Sequence, residues 1–468
     1  MEIIIKPRKE EYQVLLQRPH KEAADLNALV SNVLEDVRKH GDVAIRDYEL
    51  KFDHVQLHDL QVTDTEIRQA ETLLDNGLKE AIRAAHGNIA RFHEAQRMQP
   101  IQIETTPGVF CSQKSVPIQK VGLYIPGGTA PLFSTVLMLA TPARIAGCHD
   151  IILCSPPDSE GHLHPAILYA AKVAGVNHIY KCGGVQAIGA MAYGTESILR
   201  VSKIFGPGNQ FVTCAKQQVS LHDVAIDMPA GPSEVAIIAD DTANPAFVAA
   251  DMLSQAEHGR DSQAVLFTDS ESLAHKVFIE VEHQLQLLNR KELAAESLSY
   301  SKIFVLNDIS ESFDICNEYA PEHLILAMDD AANWADKVIN AGSVFLGHYS
   351  CESAGDYASG TNHTLPTSGY AKAYSGVNLD SFSRKITFQN LTADGIRSIG
   401  RTVELMAEAE GLDAHRNAMT YRINQVTTKL YSIKDAVIKR FSKTQHMGAG
   451  TLQLCKGRIQ GQRCTCIP

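Results

Sequence analysis

The chain has 468 residues, more than one hydrophobic core usually organises, so two or more domains are expected. Hydrophobic residues at 44% and charged residues at 21% lie near globular averages and exclude extended disorder as the dominant state. A formal net charge of -11 argues against a general nucleic-acid or anionic-membrane surface, because either needs an excess of Lys and Arg.

In chain order, Met1 to Tyr12 sets Lys6, Arg8 and Lys9 after a three-residue Ile run, too short for the apolar core of a signal peptide. The expected compartment is therefore the cytoplasm. The ten cysteines lack zinc-finger or thioredoxin spacing and are read as reduced core residues rather than disulfides. Leu29 to Gln99 spaces apolar residues by three and four, as in Val30, Val33, Leu34 and Val37, which predicts two or three helices. The longest apolar stretch, Phe133 to Ala146, is interrupted by Pro142 and Arg144 and falls short of the ~20 residues of a membrane span.

From Gln119 onward, short β-rich runs end in Gly or Pro and lead into helical stretches: Val121 to Ile125, Ile151 to Cys154, His178 to Tyr180 and Lys203 to Phe205. That alternation predicts a parallel α/β sheet. Ligands of such sheets gather beyond the carboxyl ends of the strands, so the loops Pro126 to Thr129, Gly183 to Gln186 and Gly206 to Asn209 should line one crevice. Neither the glycines at Gly127 nor those at Gly206 fit the G-x-G-x-x-G fingerprint, and no P-loop pattern is present. A second series follows: Val235 to Ile238, Ala264 to Thr268, Lys302 to Val305, Leu324 to Ala327 and Ser343 to Leu346. It predicts a second α/β unit, onto which the leading helical segment is expected to pack. Thr392 to Tyr431 reads as long helices broken near Gly411, and the chain beyond Ser442 as a poorly anchored tail.

Three stretches could carry chemistry. Asn244 to His258 reads as a helix that sets Gln255 and His258 on one face of its last turn, where two metal donors can converge. The same pair equally suits a polar helix end. Glu352 to Pro366, ESAGDYASGTNHTLP, places Asp356 and His363 among small residues whose backbone can close on a ligand, although a solvated loop has the same composition. Ala320 to Leu324, APEHL, sets Glu322 beside His323 after Pro321; a turn there lets both reach one cavity and divide proton transfers. Ser233 ends the turn DMPAGPS, and Glu410 precedes His415 by five residues in a polar helix. Taken singly, each has a purely structural reading.

The ordered runs VGLYIPGGTAPLFSTVLMLATPARIAG, IFGPGN, DMPAGPSE, SQAEHG, APEHL, GSVFLG and ESAGDYASGTNH closely resemble the histidinol dehydrogenase family across roughly Ala24 to Val426. The resemblance implies oxidation of L-histidinol to L-histidine through histidinaldehyde, with one zinc per subunit and two NAD molecules used in succession. It implies Gln255, His258, Asp356 and His415 as metal ligands, His323 as general base and Glu322 as the carboxylate that activates water. The ligands Gln255, His258, Asp356 and His415, together with His323, Ser233 and Glu410, would also touch substrate, and Tyr124, Gln186 and Asn209 would touch NAD.

The implied architecture is an intertwined homodimer of α/β class, with two incomplete Rossmann-like domains of parallel strands plus helical N- and C-terminal segments. Glu410 and His415 would then act in the partner's site. The matching division is an arm over 1–23, a first α/β domain over 24–124 and 234–377 carrying the metal and catalytic residues, a second domain over 125–233 on the NAD side, a helical dimerisation segment over 378–442 and a tail over 443–468. Two departures stand out: Cys351 replaces the Pro usual before ESAGDYASG, and the tail runs past the family's usual end. A zinc hydrolase would use an adjacent Glu and His in a similar way but needs no cofactor crevice. A non-catalytic metal or histidine sensor would not need every mapped position to keep a competent residue.

Overall fold

The computed structural model describes residues 1–19, 24–127, 130–229 and 231–445. It divides into two compact units, one of residues 1–98 and 115–385, the other of 99–114 and 386–468.

The larger unit is built on two parallel sheets. The first has five strands in the order His178–Lys181, Asp150–Ser155, Lys120–Tyr124, Lys203–Phe205, Ala225–Ile226, every neighbouring pair parallel. Alternate residues face opposite sides: Ile151 and Leu153 enter one core with the helices Phe133–Ala146 and Pro165–Ala174, while Ile152 and Cys154 enter another with Gly184–Tyr193 and Gln210–Ser220. The second sheet has six strands in the order Glu2–Ile5, Lys302–Val305, Gln263–Thr268, Glu234–Ala239, His323–Ala327, Ser343–Leu346, again all parallel. Glu234–Ala239 and Gln263–Thr268 are buried at every position, as strands covered on both faces must be.

Four helices, not two or three, occupy the leading segment: Ala24–His40, Asp42–Phe52, Asp64–Leu73 and Asn76–Glu94. They do not pack on the six-stranded sheet as expected. Val30, Val33, Leu34 and Val37 join the core of Gly184–Tyr193, whereas Ala70, Ile82, Ala85 and Ile89 join that of Phe133–Ala146. The physical reason lies in the crossover helices. Val185 to Ala192 are all buried, so this helix needs cover on its outer side as well as against the sheet. Gly189 lets that cover come close: a Cβ there would sit 3.3 Å from both Leu34 and Val37.

The expected domain division is corrected in the same way. Lys120–Tyr124 is the central strand of the five-stranded sheet, so residues 24–98 and 115–124 pack with 125–233 rather than with 234–377, while 99–114 belong to the smaller unit. The expected N-terminal arm supplies an edge strand, Glu2–Ile5, paired with Lys302–Val305.

The smaller unit holds the antiparallel pair Ile101–Thr106 and Val109–Pro117, with Ser383–Leu391 alongside in the same three-stranded sheet. A single helical turn, Leu379–Phe382, and then a strand therefore open the segment expected to be helical from 378. Two helices follow, Ala393–Ala409 and Asp413–Gln445, and the break between them falls at Gly411 with φ 72°. Gly400 lets them approach closely, since a Cβ there would lie 2.6 Å from Ile423. The expected tail lies outside the described residues from 446 onward. No helix among the described residues is long and apolar enough to cross a membrane.

Gly206 sits where two strand ends meet, at φ 119°, and a Cβ on it would lie 2.1 Å from the Tyr124 carbonyl oxygen. Gly206→Ala should therefore cost at least about 2 kcal/mol, through both the left-handed backbone and the clash. A clearly lowered midpoint in urea unfolding is expected, and an unchanged midpoint would show that the strand ends can part freely.

Candidate functional site

The amino ends of strands in the six-stranded sheet and the segment after that sheet gather the site. The helix Ile309–Tyr319 ends on Ala320, a non-glycine residue at φ 52°, whose N–H donates to Cys316. Its left-handed turn redirects the chain into Pro321, Glu322 and His323, and such strain persists only where its surroundings hold it. The Gly342 N–H donates to the Pro321 carbonyl at 2.9 Å and the Ser343 N–H to that of Glu322 at 3.0 Å. From below, Arg18 forks onto the buried Glu234 carboxylate and donates to the Tyr319 carbonyl at 2.6 Å. The Glu234 N–H then donates to Glu322 Oε2 at 3.0 Å. An ion pair thus fixes the strand start on which the catalytic candidate Glu322 hangs.

His323 is fully enclosed, 2% exposed, and neither ring nitrogen has a hydrogen-bond partner. Its Nδ1 lies 3.8 Å from Glu322 Oε2 and 3.9 Å from Glu352 Oε1, and its Nε2 lies 3.5 Å from Asp356 Oδ1. Burial works to lower its pKa, but Glu352, Glu322 and Asp356 outweigh it and push it up to about 10. Burial raises Glu322 to about 7 and Glu352 to about 8. Asp356 behaves oppositely: burial would raise it, yet His323, His363 and His258 hold it below the usual carboxylate range. The surrounding carboxylates thus favour the protonated imidazole, Glu352 first among them.

Gln255 and His258 come from the helix Pro245–Ala256 and the residues just after it, capped by the Asn244 side chain. Gln255 is wholly buried and its Oε1 has no partner, while its Nε2 lies 3.3 Å from His258 Nδ1. The His258 ring is open on one edge, yet desolvation lowers its pKa, which favours the neutral, ligating form. His258 Nε2 lies 3.9 Å from Asp356 Oδ2. Donor atoms of His258, Glu352 and Asp356 all fall within 4.8 Å of one another. Mixed nitrogen and oxygen donors of this kind suit a divalent transition metal.

Glu352 is the residue that the sequence reading missed. It opens the short helix Glu352–Tyr357, and both its oxygens are buried without a partner. The nearby His363 is spent on structure: Nδ1 pairs with the Asp356 carbonyl at 2.9 Å and Nε2 with Thr135 Oγ1 at 3.1 Å. Thr135 belongs to the helix Phe133–Ala146, so this loop is tied to the five-stranded sheet's layer. Ser233 directly precedes Glu234 and so lies one residue from the anchor of Glu322. Ala230, within the same turn, lies outside the described residues. Glu410 and His415 are exposed and belong to the smaller unit.

Tyr124, Gln186 and Asn209 come together at the carboxyl ends of the five-stranded sheet, lining a cavity of about 780 Å³. Gly128 and Thr129, in the first of the three expected loops, lie outside the described residues. The Gly184 N–H donates to the Tyr124 hydroxyl at 3.2 Å, and Asn209 Oδ1 accepts from Phe211 and Val212. Glu49, fully buried, accepts from the Gly183 N–H and from Gln186 Nε2, both at 2.9 Å. Leu29, Val33, Tyr48 and Phe52 form another wall. The sequence reading missed that wall because their helices gave no sign of turning towards these loops.

Buried acid, base and metal-donor groups at one sheet, together with a strand-end cavity at the other, define an α/β enzyme with a candidate metal centre. The histidinol dehydrogenase family model matches residues 16–423. Histidinol dehydrogenase of Bacteroides thetaiotaomicron is 59% identical over 424 residues, covering 91% of this chain and 99% of that protein. The Bacteroides fragilis enzyme is 58% identical over 426 residues, covering 91% and 100%. The solved structure of histidinol dehydrogenase from Elizabethkingia anophelis superposes with a TM-score of 0.90 at 54% identity, covering 91% of this chain and 99% of that one. The chain belongs to the histidinol dehydrogenase family.

Burial, opposed by the Gly183 and Gln186 hydrogen bonds, raises Glu49 from its ordinary 4.5 to about 7. A carboxyl that holds its proton more tightly when folded contributes stability in full below its unfolded pKa and loses it as pH rises through the folded value. Wild-type stability should therefore fall between about pH 4.5 and pH 7 through this group. Glu49→Gln keeps the acceptor oxygen and removes the slope, so at pH 8 it should be more stable than wild type by about 1–3 kcal/mol, the two converging near pH 4. Urea titrations at the two pH values check this; equal stability at pH 8 would mean that Glu49 ionises without cost.

Proposed function

We propose that the chain oxidises L-histidinol to L-histidine through histidinaldehyde, reducing two NAD molecules in succession with one zinc ion per subunit. Membership of its family makes it an oxidoreductase of histidine biosynthesis. The observation that carries the finer reading is the set of buried donors without partners, Gln255 Oε1, Asp356 Oδ1 and both Glu352 oxygens, gathered about His258 and His323. Buried polar atoms in native proteins are almost always satisfied, so such a set fits a bound cation and a polar substrate.

Gln255, His258 and Asp356 would hold the metal. In an intertwined homodimer the partner subunit's His415 would complete the ligand set and the partner subunit's Glu410 would contact substrate. Bound there, zinc supplies a fixed positive centre that orients the substrate's nitrogens, and bound NAD supplies the hydride acceptor. Tyr124, Gln186 and Asn209 line the cavity that would take the dinucleotide, and Ser233 would contact the substrate. Gln255, His258, Asp356 and His323 would touch the substrate as well.

His323 takes the hydroxyl proton as the carbinol C–H bond breaks, leaving the aldehyde. Glu322, lifted by burial to about 7, takes a proton from the water whose oxygen adds to the aldehyde carbon. The hydrate then loses its second hydride while His323 takes the remaining hydroxyl proton, and the carboxylate results. In sum, one water and two NAD⁺ are consumed, and two NADH and three protons are released. A base must start unprotonated, whereas the carboxylates around His323 favour its protonated form. Engaging Asp356 as a ligand removes its charge from the ring and frees Nε2 to accept.

Zinc-loaded protein should form two NADH for each L-histidinol consumed, read at 340 nm with histidine quantified in parallel. His323→Asn should suppress the first oxidation by about 100-fold or more while keeping zinc, whereas His258→Asn should lose zinc and activity together. Absence of NADH formation beside an active reference enzyme would reject the reading, and equal zinc loss in both variants would reject the division of roles.

A further inference from the structure

His323 has two faces, and they are not equivalent. Nε2 looks towards Asp356 and the donor cluster, at 3.5 Å, whereas Nδ1 looks inward to Glu322 and Glu352 at 3.8 and 3.9 Å. A neutral imidazole carries one proton, and the nitrogen that holds it is decided by the acceptor offered to it. Glu322 offers an oxygen already engaged, because the Oε2 that faces Nδ1 accepts the Glu234 N–H at 3.0 Å. Glu352 offers two buried oxygens with no donor at all, and its residue is only 1% exposed. An acceptor without a donor faces a nitrogen without an acceptor.

The placement of Glu352 is built into the fold. It begins the helix Glu352–Tyr357, whose Gly355 lies against Phe345: a Cβ there would come within 2.7 Å of the Phe345 ring. That ring in turn lies 6.0 Å from His323. The absence of a side chain at 355 lets the helix seat closely enough for Glu352 to reach the imidazole.

We propose that Glu352 is a positioning residue that accepts the Nδ1–H of His323, so that the bare Nε2 faces the substrate. The inference rests on His323 acting as the base. At 3.9 Å the pair is longer than a hydrogen bond, and contacts of this kind tighten when the site fills. Glu322 stays available for water because it does not have to orient its neighbour.

The test uses the full-length, zinc-loaded protein and three variants: Glu352→Gln, Glu352→Asp and His323→Asn. Glu352→Gln is isosteric, but its amide can donate to Nδ1 and so favours the wrong tautomer. It should lower kcat by about tenfold or more, leave KM for L-histidinol within about twofold, and leave bound zinc unchanged. Glu352→Asp should recover part of the loss. Nitrogen-15 NMR of histidine-labelled protein, with the His323 signals assigned by their loss in His323→Asn, should show Nδ1–H in wild type and Nε2–H in Glu352→Gln. An unchanged tautomer, or loss of zinc in step with activity in Glu352→Gln, would overturn the proposal while leaving His323 as base. If His323→Asn kept wild-type kcat, the base assignment itself would fall and the orienting role with it.

Discussion

Everything at the site depends on one constraint: a wholly buried imidazole surrounded by three carboxylates must be paired or neutralised. In a medium of low polarity an isolated ion costs far more than a domain can spare, so such groups share charge or shift their pKa. Both responses occur. Asp356 stays ionised against His323, whereas Glu322 and Glu352 are driven towards their neutral forms. Asp356 keeps its charge most readily while Glu322 and Glu352 are shifted the other way, a separation that lets neighbouring carboxyls take different chemical roles.

The fold provides this by converging several independently anchored pieces on one point. Glu322 and His323 enter from a strained turn at Ala320, held by the Arg18–Glu234 ion pair and the Glu234 N–H. Gln255 and His258 arrive at the end of a capped helix, and Glu352 with Asp356 on a short helix seated against Phe345. The loop beyond is tied to the other sheet's helical layer through His363 with Thr135 and through Asn362, whose Nδ2 donates to the Met138 carbonyl at 2.6 Å. A piece held at both ends keeps its geometry even when its polar atoms lack partners.

The features legible in the sequence were those whose signal is local. Buried parallel strands such as Val235 to Ile238 stand out as short apolar runs, and the Asn244 cap with Pro245 marks a helix start. Ordered motifs placed Gln255, His258, Glu322, His323 and Asp356, which do converge within the larger unit. The missed features depend on partners far away in the chain. Glu2–Ile5 is only four residues and becomes a strand through its pairing with Lys302–Val305. Ile101–Thr106 and Ser383–Leu391 are largely exposed, so their short alternations, Ile101 with Ile103 and Ile386 with Phe388, mark no buried face. The leading helices show an apolar stripe, but a stripe does not name the surface it covers. Glu352 looked like an ordinary first-turn acid, and only its burial against His323 marks it out.

The two candidate ligand regions are finished in opposite ways, and the contrast bears on the proposed reaction. In the cavity at the five-stranded sheet, Tyr124, Asn209 and Gln186 already hold bonds to Gly184, to the Phe211 and Val212 amides, and to Glu49. A ligand entering there gains few new hydrogen bonds from these groups, so it can leave at little cost. Around His323 the donors and acceptors are buried and unsatisfied, so whatever completes them is retained. Two successive oxidations need this asymmetry: the dinucleotide must be exchanged between the steps, while the reactive aldehyde must stay bound. Polar groups satisfied by the protein suit the partner that turns over, and polar groups left open suit the one that is held.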